Sequence, residues 1–139
     1  MKLNPDCVRD VMLYVEEHLS LDSPVCFVWD YSGNAVFDPK NSFLVKKYSA
    51  ENIDTSFGYV VSKGYLKNNG LDGTYMIREI LPDGFDFLEC VRISSVFDEA
   101  KKAVTDGDMQ KITEVAKMLV KNYVNKVAEE KIGTKPFQS

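Results

Sequence analysis

Hydrophobic positions near the start of the chain repeat with the period of an α-helix. One face carries apolar residues spaced three or four apart: Val8, Val11, Met12, Val15 and Leu19. Asn4 is a suitable N-cap, and Pro5 suits the first helical position. We therefore expect a helix that begins at Pro5 and packs this face on the core, while three other side chains face away: Asp10, Tyr14 and Glu17.

The segment 21–48 has the composition of strands and turns. Residues 24–29 are rich in β-branched and aromatic side chains, 31–34 form a turn signal, and 35–37 can return as a second strand. Residues 42–48 are predicted to form a further strand. The pattern indicates a β-hairpin or a small sheet in this part of the chain.

A second helix is predicted over 50–63. Ser49 can cap its start, and Gly64 stands where a left-handed residue is wanted after its last turn. Its inner stripe consists of Ala50, Ile53, Phe57, Val60 and Val61. The helix therefore ends at a glycine, immediately before a strand begins.

A strand, a turn, a strand and a helix follow. The first strand covers 65–67, a tight turn lies at 69–70 or 72–73, and the second strand covers 74–80. Pro82 begins the next helix, whose predicted inward residues are Phe85, Leu88 and Val91. This order of elements is typical of a winged helix, a fold that docks on DNA and sometimes on proteins.

The last third of the chain is predicted to form two helices, over 96–104 and from 109 to about 130. The apolar stripe of the second helix is wide and comprises Ile112, Val115, Ala116, Leu119, Val120, Tyr123, Val124 and Val127. A stripe this wide must be buried against other parts of the protein or against a partner. It packs on the domain's own helices, or it forms a homodimer through Ile112, Leu119, Tyr123 and Val127.

These elements together predict an α+β fold. A winged-helix-like domain with a small extra β-hairpin covers 1–95, a C-terminal helical extension covers 96–132, and a flexible tail covers 133–139. The extension packs on the domain or takes part in a dimer contact.

Composition and charge narrow the choice of partner. The chain has 139 residues, 45% of them hydrophobic, and a net charge of −4, which argues against an obvious nucleic-acid footprint. Basic residues nevertheless concentrate around the proposed recognition helix and wing: Lys40, Lys46, Lys47, Lys63, Lys67 and Arg78. The longest unbroken apolar run, 25–29, is too short to span a membrane. We expect a cytoplasmic protein with no membrane partner.

Candidate chemistry is sparse. His18 lies at the flank of the first helical stripe without an obvious activating partner, and no serine or cysteine stands in a nucleophile motif. Residues 68–79 match some positions of a calcium-binding EF-hand loop, but their second half alternates like a strand. The three cysteines have no metal-binding spacing. We therefore predict no enzyme activity, no catalytic residues, no metal and no cofactor.

Several segments resemble a known family. They include Met1-Lys2-Leu3-Asn4-Pro5-Asp6, Ser62-Lys63-Gly64-Tyr65-Leu66 and Asp83-Gly84-Phe85-Asp86-Phe87-Leu88-Glu89. Together they resemble a phage- and prophage-associated family of small bacterial proteins, the domain of unknown function twenty-five thirteen. The resemblance implies a winged-helix-like fold and an origin in a mobile element. It implies no established activity.

The first functional hypothesis is a DNA-binding regulator that uses 50–63 as its recognition helix. Asn and Thr side chains can read base edges, and Lys or Arg side chains can hold phosphates. The residues predicted to bind double-stranded DNA or another partner are Asn52, Thr55, Tyr59, Ser62, Lys63, Lys67 and Arg78. Glu51 and Asp54 reduce the attraction of this helix for phosphates.

The alternative is an acidic protein-binding inhibitor of a host defence or regulatory protein, for example one like an anti-CRISPR. Acidic residues flank the aromatic Phe27 and Trp29, and such a surface can target a basic nucleic-acid groove on another protein. The residues predicted for this surface are Asp22, Asp30, Tyr31 and Asp38.

Overall fold

The computed structural model describes residues 3–29, 35–37, 42–71 and 74–132. Within these ranges the elements in chain order are α1 (Pro5–His18), β1 (Val25–Trp29), β2 (Ala35–Phe37), α2 (Ser42–Lys47), α3 (Ala50–Ser62), β3 (Leu66–Asn68), β4 (Thr74–Ile80), α4 (Pro82–Val91), α5 (Ser94–Ala103) and α6 (Met109–Ile132). The chain divides into a first unit, residues 1–88, and a second unit, residues 89–139. The fold class is α+β.

The helix α1 begins where the sequence predicts it to begin. The side-chain oxygen of Asn4 accepts hydrogen bonds from the backbone N–H groups of Asp6 at 3.0 Å and Cys7 at 3.3 Å. These two bonds satisfy donors that have no partner inside the helix. The predicted stripe is buried at Val8, Val11, Met12 and Val15. Asp10 and Tyr14 are also buried, so the expectation that they face away is wrong.

The described strands form one antiparallel sheet in the order β2-β1-β4-β3. The predicted hairpin of β1 and β2 is confirmed, although its turn lies outside the described residues. In the centre of the sheet β1 pairs with β4, with Val25 opposite Ile77 and Phe27 opposite Tyr75. The strands β1 and β4 are therefore neighbours in the sheet, although α2 and α3 lie between them in the sequence.

Residues 42–48 were predicted to form a strand, and this prediction is wrong because 42–47 form α2. Phe43 and Val45 flank Leu44 in a short apolar run. Both are exposed, at 53% and 47%, whereas Leu44 is fully buried. One helical turn is enough to bury Leu44, and the backbone N–H of Tyr48 donates to its carbonyl at 2.9 Å. A short apolar run therefore did not distinguish a strand from a helix.

The predicted boundaries of α3 are confirmed. The hydroxyl of Ser49 accepts from the backbone N–H of Asn52 at 3.1 Å. At the other end Gly64 has φ of +77° and donates to the carbonyl of Val61, while Tyr65 donates to the carbonyl of Val60. This pair of bonds is a Schellman motif, which needs a left-handed residue and therefore favours glycine.

Aromatic packing joins α3 to the sheet. The Phe57 ring lies 5.4 Å from the ring of Phe27 on β1 and 5.4 Å from the ring of Tyr75 on β4. Phe27 and Phe57 are fully buried. Because α1 packs on α3 as well, one layer of helices covers one face of the sheet.

The helix α4 begins at Pro82 as predicted, but its inward face differs from the prediction. Leu88 and Val91 are buried, whereas Phe85 is 50% exposed. A Cβ atom on Gly84 would lie 2.2 Å from the carbonyl oxygen of Tyr65, so the helix approaches that backbone through its glycine. Phe85, one residue later, is turned outward. Phe87 takes the inward position and stacks on Tyr65 at 4.8 Å.

The second unit contains the predicted pair of helices α5 and α6. The loop between them includes Gly107, with φ of +72°, and Asp108, whose carboxylate accepts from the backbone N–H of Lys111 at 3.0 Å. The first half of α6 buries Met109, Ile112 and Ala116. Three apolar residues of its later turns are exposed: Met118, Tyr123 and Val124. The predicted tail, 133–139, lies outside the described residues.

Candidate nucleic-acid interface

The residues predicted to contact DNA on α3 lie on one side of that helix. Asn52, Thr55, Tyr59 and Ser62 are three or four positions apart, and each is at least partly exposed. The opposite side of α3 holds the buried residues: Ile53, Ser56, Phe57 and Val60. The predicted face is therefore the face of α3 that solvent or a partner can reach.

Two hydroxyl groups on this face are bonded to their own helix. Thr55 Oγ1 donates to the carbonyl of Glu51, and Ser62 Oγ donates to the carbonyl of Tyr59, both at 2.8 Å. Each hydroxyl has used its one hydrogen, so its oxygen is left as an acceptor. The amide of Asn52 can both donate and accept, which suits an adenine edge. Asn52 thus offers the most informative contact on this face.

The charge on α3 is unfavourable for a polyanion. Between Ala50 and Ser62 the helix carries Glu51 and Asp54 and no lysine or arginine. Positive charge comes from the neighbouring positions, with exposed Lys46 near the end of α2 and exposed Lys63 at the C-cap of α3. Any attraction for phosphates therefore arises at the borders of the helix.

The remaining predicted cations lie on the hairpin of β3 and β4. Lys67 and Arg78 are both exposed, whereas Leu66 and Ile77 are buried. The register changes after Lys67, so that Arg78 has no partner across the ladder, as in a β-bulge. A bulge changes the direction of a side chain, and here the Arg78 guanidinium lies 3.7 Å from the sulfur of Met76. These two cations belong to the hairpin, whereas Lys63 belongs to the helix.

The tip of this hairpin is held by Asn68. Its side-chain oxygen accepts from the backbone N–H groups of Gly70 at 2.8 Å and Met76 at 3.0 Å. A Cβ atom on Gly70 would lie 2.4 Å from the carbonyl oxygen of Thr74, so the turn needs glycine there. Leu71 is 86% exposed beside it. The sequence reasoning missed Leu71, although an apolar residue in a polar turn was the available signal.

A polar cluster around the buried Asp10, at the corner of α2 and α3, was also missed. The carboxylate of Asp10 accepts from the Lys47 ammonium at 2.7 Å and from the Tyr48 hydroxyl. Burial, followed by the hydrogen bond to Asp10, raises the pKa of Tyr48 far above its ordinary range, so the hydroxyl remains a donor. We name Asp10, Lys47 and Tyr48 the corner cluster.

A buried thiol lies one turn earlier on α1. The thiol of Cys7 is buried beside the hydroxyl of Ser56 on α3. Burial raises the pKa of Cys7 to about 11, and the interaction with Ser56 offsets part of this increase. The thiol therefore stays protonated near neutral pH and is not an activated nucleophile.

The acidic surface of the alternative hypothesis has one described residue. Asp22 is exposed in the turn between α1 and β1. Asp30, Tyr31 and Asp38 lie outside the described residues. Phe27, which the hypothesis places beside these acids, is fully buried in the core.

His18 packs against Tyr14 of its own helix. The ring of His18 stacks on Tyr14 at 4.0 Å, and its Nδ1 lies 3.0 Å from the Tyr14 carbonyl oxygen. In the part of the chain that the structure describes, no three His, Cys, Asp or Glu residues are grouped to hold a metal ion. No helix among the described residues has the length and apolar character needed to cross a bilayer.

Comparison with known proteins adds no relative. No protein-family model, no curated protein and no solved structure matches the chain. A functional conclusion therefore depends on the geometry of the described residues.

Proposed function

We propose that the protein is a non-enzymatic docking protein of winged-helix type that binds duplex DNA through α3 and the hairpin of β3 and β4. The observation that carries the proposal is the connectivity. The elements α1, β1, α2, α3, β3 and β4 follow in this order, and β4 lies between β1 and β3 in the sheet. A winged helix has this order of elements and of strands, and β2 is an addition at the edge of the sheet.

The corner between α2 and α3 supports the same function. Two residues, Tyr48 and Ser49, separate the helices, a connection slightly shorter than the roughly three to four residues of a helix-turn-helix. In such a pair the second helix enters the major groove of DNA. The 13 residues of α3 give it a length of about 20 Å, and its polar side is free of the core.

Each predicted residue then has a specific role. Asn52 reads a base edge, and Thr55, Tyr59 and Ser62 supply further polar contacts in the groove. Lys63 at the end of α3 contacts a phosphate, and Lys67 and Arg78 hold the backbone beside the hairpin. The resemblance to a phage-associated family makes a regulator of a mobile element, acting in the host cytoplasm, the setting that we infer.

The acidity of the chain sets the expected strength of binding. A net charge of −4 and two acids on α3 oppose non-specific attraction to phosphates. Only a few phosphates are neutralised by the three predicted cations, so binding to random DNA is weak and sensitive to salt. Specific binding therefore depends on the contacts of α3 with base edges.

Fluorescence anisotropy of a labelled random duplex, titrated with protein at several salt concentrations, tests the proposal. The key variant neutralises three cations together: Lys63→Gln, Lys67→Gln and Arg78→Gln. The matched control neutralises three exposed lysines of α6: Lys117→Gln, Lys121→Gln and Lys126→Gln. The wild-type protein binds at low salt, and the key variant lowers the slope of log K against log salt by about 0.9 per lost phosphate contact.

Two results contradict the proposal. One is the absence of binding by the wild-type protein even at low salt. The other is an equal loss in the key and control variants, which means that positive charge anywhere on the surface suffices. The first result favours the protein-binding alternative, and capture of a basic nucleic-acid-binding protein, lost on Asp22→Asn, then becomes the informative assay.

A further inference from the structure

The helix α2 is too short to determine its own position. It has six residues, and among its described side chains only Leu44 is fully buried. Short helices are marginal in water and depend on tertiary contacts. The contacts at the end of α2, where the chain turns into α3, therefore decide how both helices lie on α1.

The corner cluster supplies these contacts. Lys47 is the last residue of α2, and Tyr48 is the first residue of the corner. Both bind the same carboxylate oxygen of Asp10 on α1. The Lys47 ammonium also lies over the rings of Phe43 at 5.6 Å and Tyr48 at 5.4 Å. A charged group on α1 thus holds the chain where α2 ends.

The Asp10 carboxylate is costly to bury unless its partners stay in place. Its side chain is 10% exposed, whereas that of Lys47 is 51% exposed. A buried carboxylate needs hydrogen-bond donors on its oxygens. Movement of the corner removes two hydrogen bonds from Asp10 and leaves the longer ion pair with Arg9, at 3.8 Å, to compensate its charge. Polar networks of this kind favour one arrangement over others of similar apolar packing.

We propose that Asp10 is a positioning residue that fixes the orientation of α3 on α1 through the corner cluster. Elsewhere the two helices meet mainly through apolar side chains, and the buried hydroxyl of Ser56 on α3 has no hydrogen-bond partner among the described residues. Apolar packing alone permits small rotations, and the corner cluster removes them. The consequence for DNA binding rests on the proposed function, because the orientation of α3 decides which bases Asn52 can reach.

Residual dipolar couplings of backbone amides test the proposal directly, because they report the orientation of α3 relative to α1. They are measured for the full wild-type chain, Asp10→Asn, Tyr48→Phe and the control Glu17→Gln. Glu17 is an exposed acid on the same helix, so its replacement removes the same charge and leaves the bonds of Lys47 and Tyr48 to Asp10 in place. Tyr48→Phe removes one hydrogen bond and serves if Asp10→Asn does not fold.

In Asp10→Asn, the couplings of α3 no longer fit the wild-type orientation, and in Tyr48→Phe they depart in the same direction by less. Binding of duplex DNA weakens roughly tenfold in Asp10→Asn. Net charge alone predicts the opposite effect, because the loss of a negative charge should strengthen binding to a polyanion. Glu17→Gln keeps the wild-type couplings and binds DNA at least as tightly as the wild-type protein.

The proposal is overturned if the couplings of α3 in both Asp10→Asn and Tyr48→Phe still fit the wild-type orientation. A change of equal size in Glu17→Gln also overturns it, because the effect is then one of charge on α1. If the wild-type protein binds no DNA, the proposed function fails, and the couplings alone still decide whether Asp10 orients α3.

Discussion

Two pairs of helices in this protein cover their apolar faces to different degrees. In the first unit α1 has 14 residues and α3 has 13, and their apolar stripes are buried from Val8 to Val15 and from Ile53 to Val60. In the second unit α5 has 10 residues and α6 has 24. At about 1.5 Å per residue, α6 extends roughly 20 Å further than α5 can cover. Helical periodicity identifies a shared face, but the length of the partner decides how much of it is buried.

The difference bears on the predicted homodimer. Ile112 is 1% exposed and belongs to the packing of the chain itself, whereas Tyr123 is 49% exposed. Leu119 and Val127 are intermediate. The homodimer stays a prediction, and its available residues are those in the later turns of α6: Leu119, Tyr123 and Val127.

The largest expected effect is at the centre of the well-covered pair. Phe57→Ala removes a fully buried ring that stacks on Phe27 and Tyr75. We expect a loss of about 3–5 kcal/mol in the free energy of unfolding. Urea unfolding followed by the fluorescence of Trp29 measures it, because this is the single tryptophan of the chain. The control Val45→Ala, at a half-exposed position, changes stability by less than about 0.5 kcal/mol.

A smaller effect distinguishes the two halves of α6. Ile112→Ala costs about 2–5 kcal/mol because Ile112 is buried, whereas Tyr123→Ala costs less than about 1 kcal/mol in the monomer. Urea unfolding followed by far-ultraviolet circular dichroism measures both losses. A loss in Tyr123→Ala that grows with protein concentration indicates the homodimer. If Ile112→Ala and Tyr123→Ala lose equal unfolding free energy at low protein concentration, the two halves of α6 do not differ in burial as described.

The smallest effect concerns the buried thiol of Cys7 in the first pair of helices, and it depends on pH. Burial raises the pKa of Cys7 from 9.0 to about 11, so the thiol contributes stability in full below pH 9 and loses it as the pH rises to about 11. The total amounts to roughly 2–3 kcal/mol at most. Cys7→Ala removes this titration, so the difference in unfolding free energy between the wild-type protein and the variant decreases over this range. Parallel curves for the two proteins contradict the raised pKa.

Much of the first unit could be predicted from local sequence. Asn4 and Ser49 cap helices, and Gly64 ends α3, because each acts on backbone groups only a few residues away. The exposed side of α3 was predictable too, since its apolar residues recur with helical spacing. These features need no knowledge of distant parts of the chain.

Two of the errors, at Phe85 and Asp10, share one physical cause. Phe85 is apolar and was expected to face inward, yet Gly84 takes the inward place because α4 approaches the backbone of Tyr65. Asp10 is charged and was expected to face solvent, yet Lys47 and Tyr48 compensate its burial. In both cases a partner from another element reverses the ordinary preference of the side chain.

The sequence by itself determined the boundaries of most helices and strands, the α+β class and the set of polar residues on the outer face of α3. These follow from capping, turn chemistry and periodicity, which act over a few residues. Only the tertiary structure decided that 42–47 are helical, that β4 lies between β1 and β3, and that Asp10 is buried at the corner of α2 and α3. These three features depend on contacts between residues far apart in the chain, and a local sequence pattern does not indicate which distant residues will be in contact.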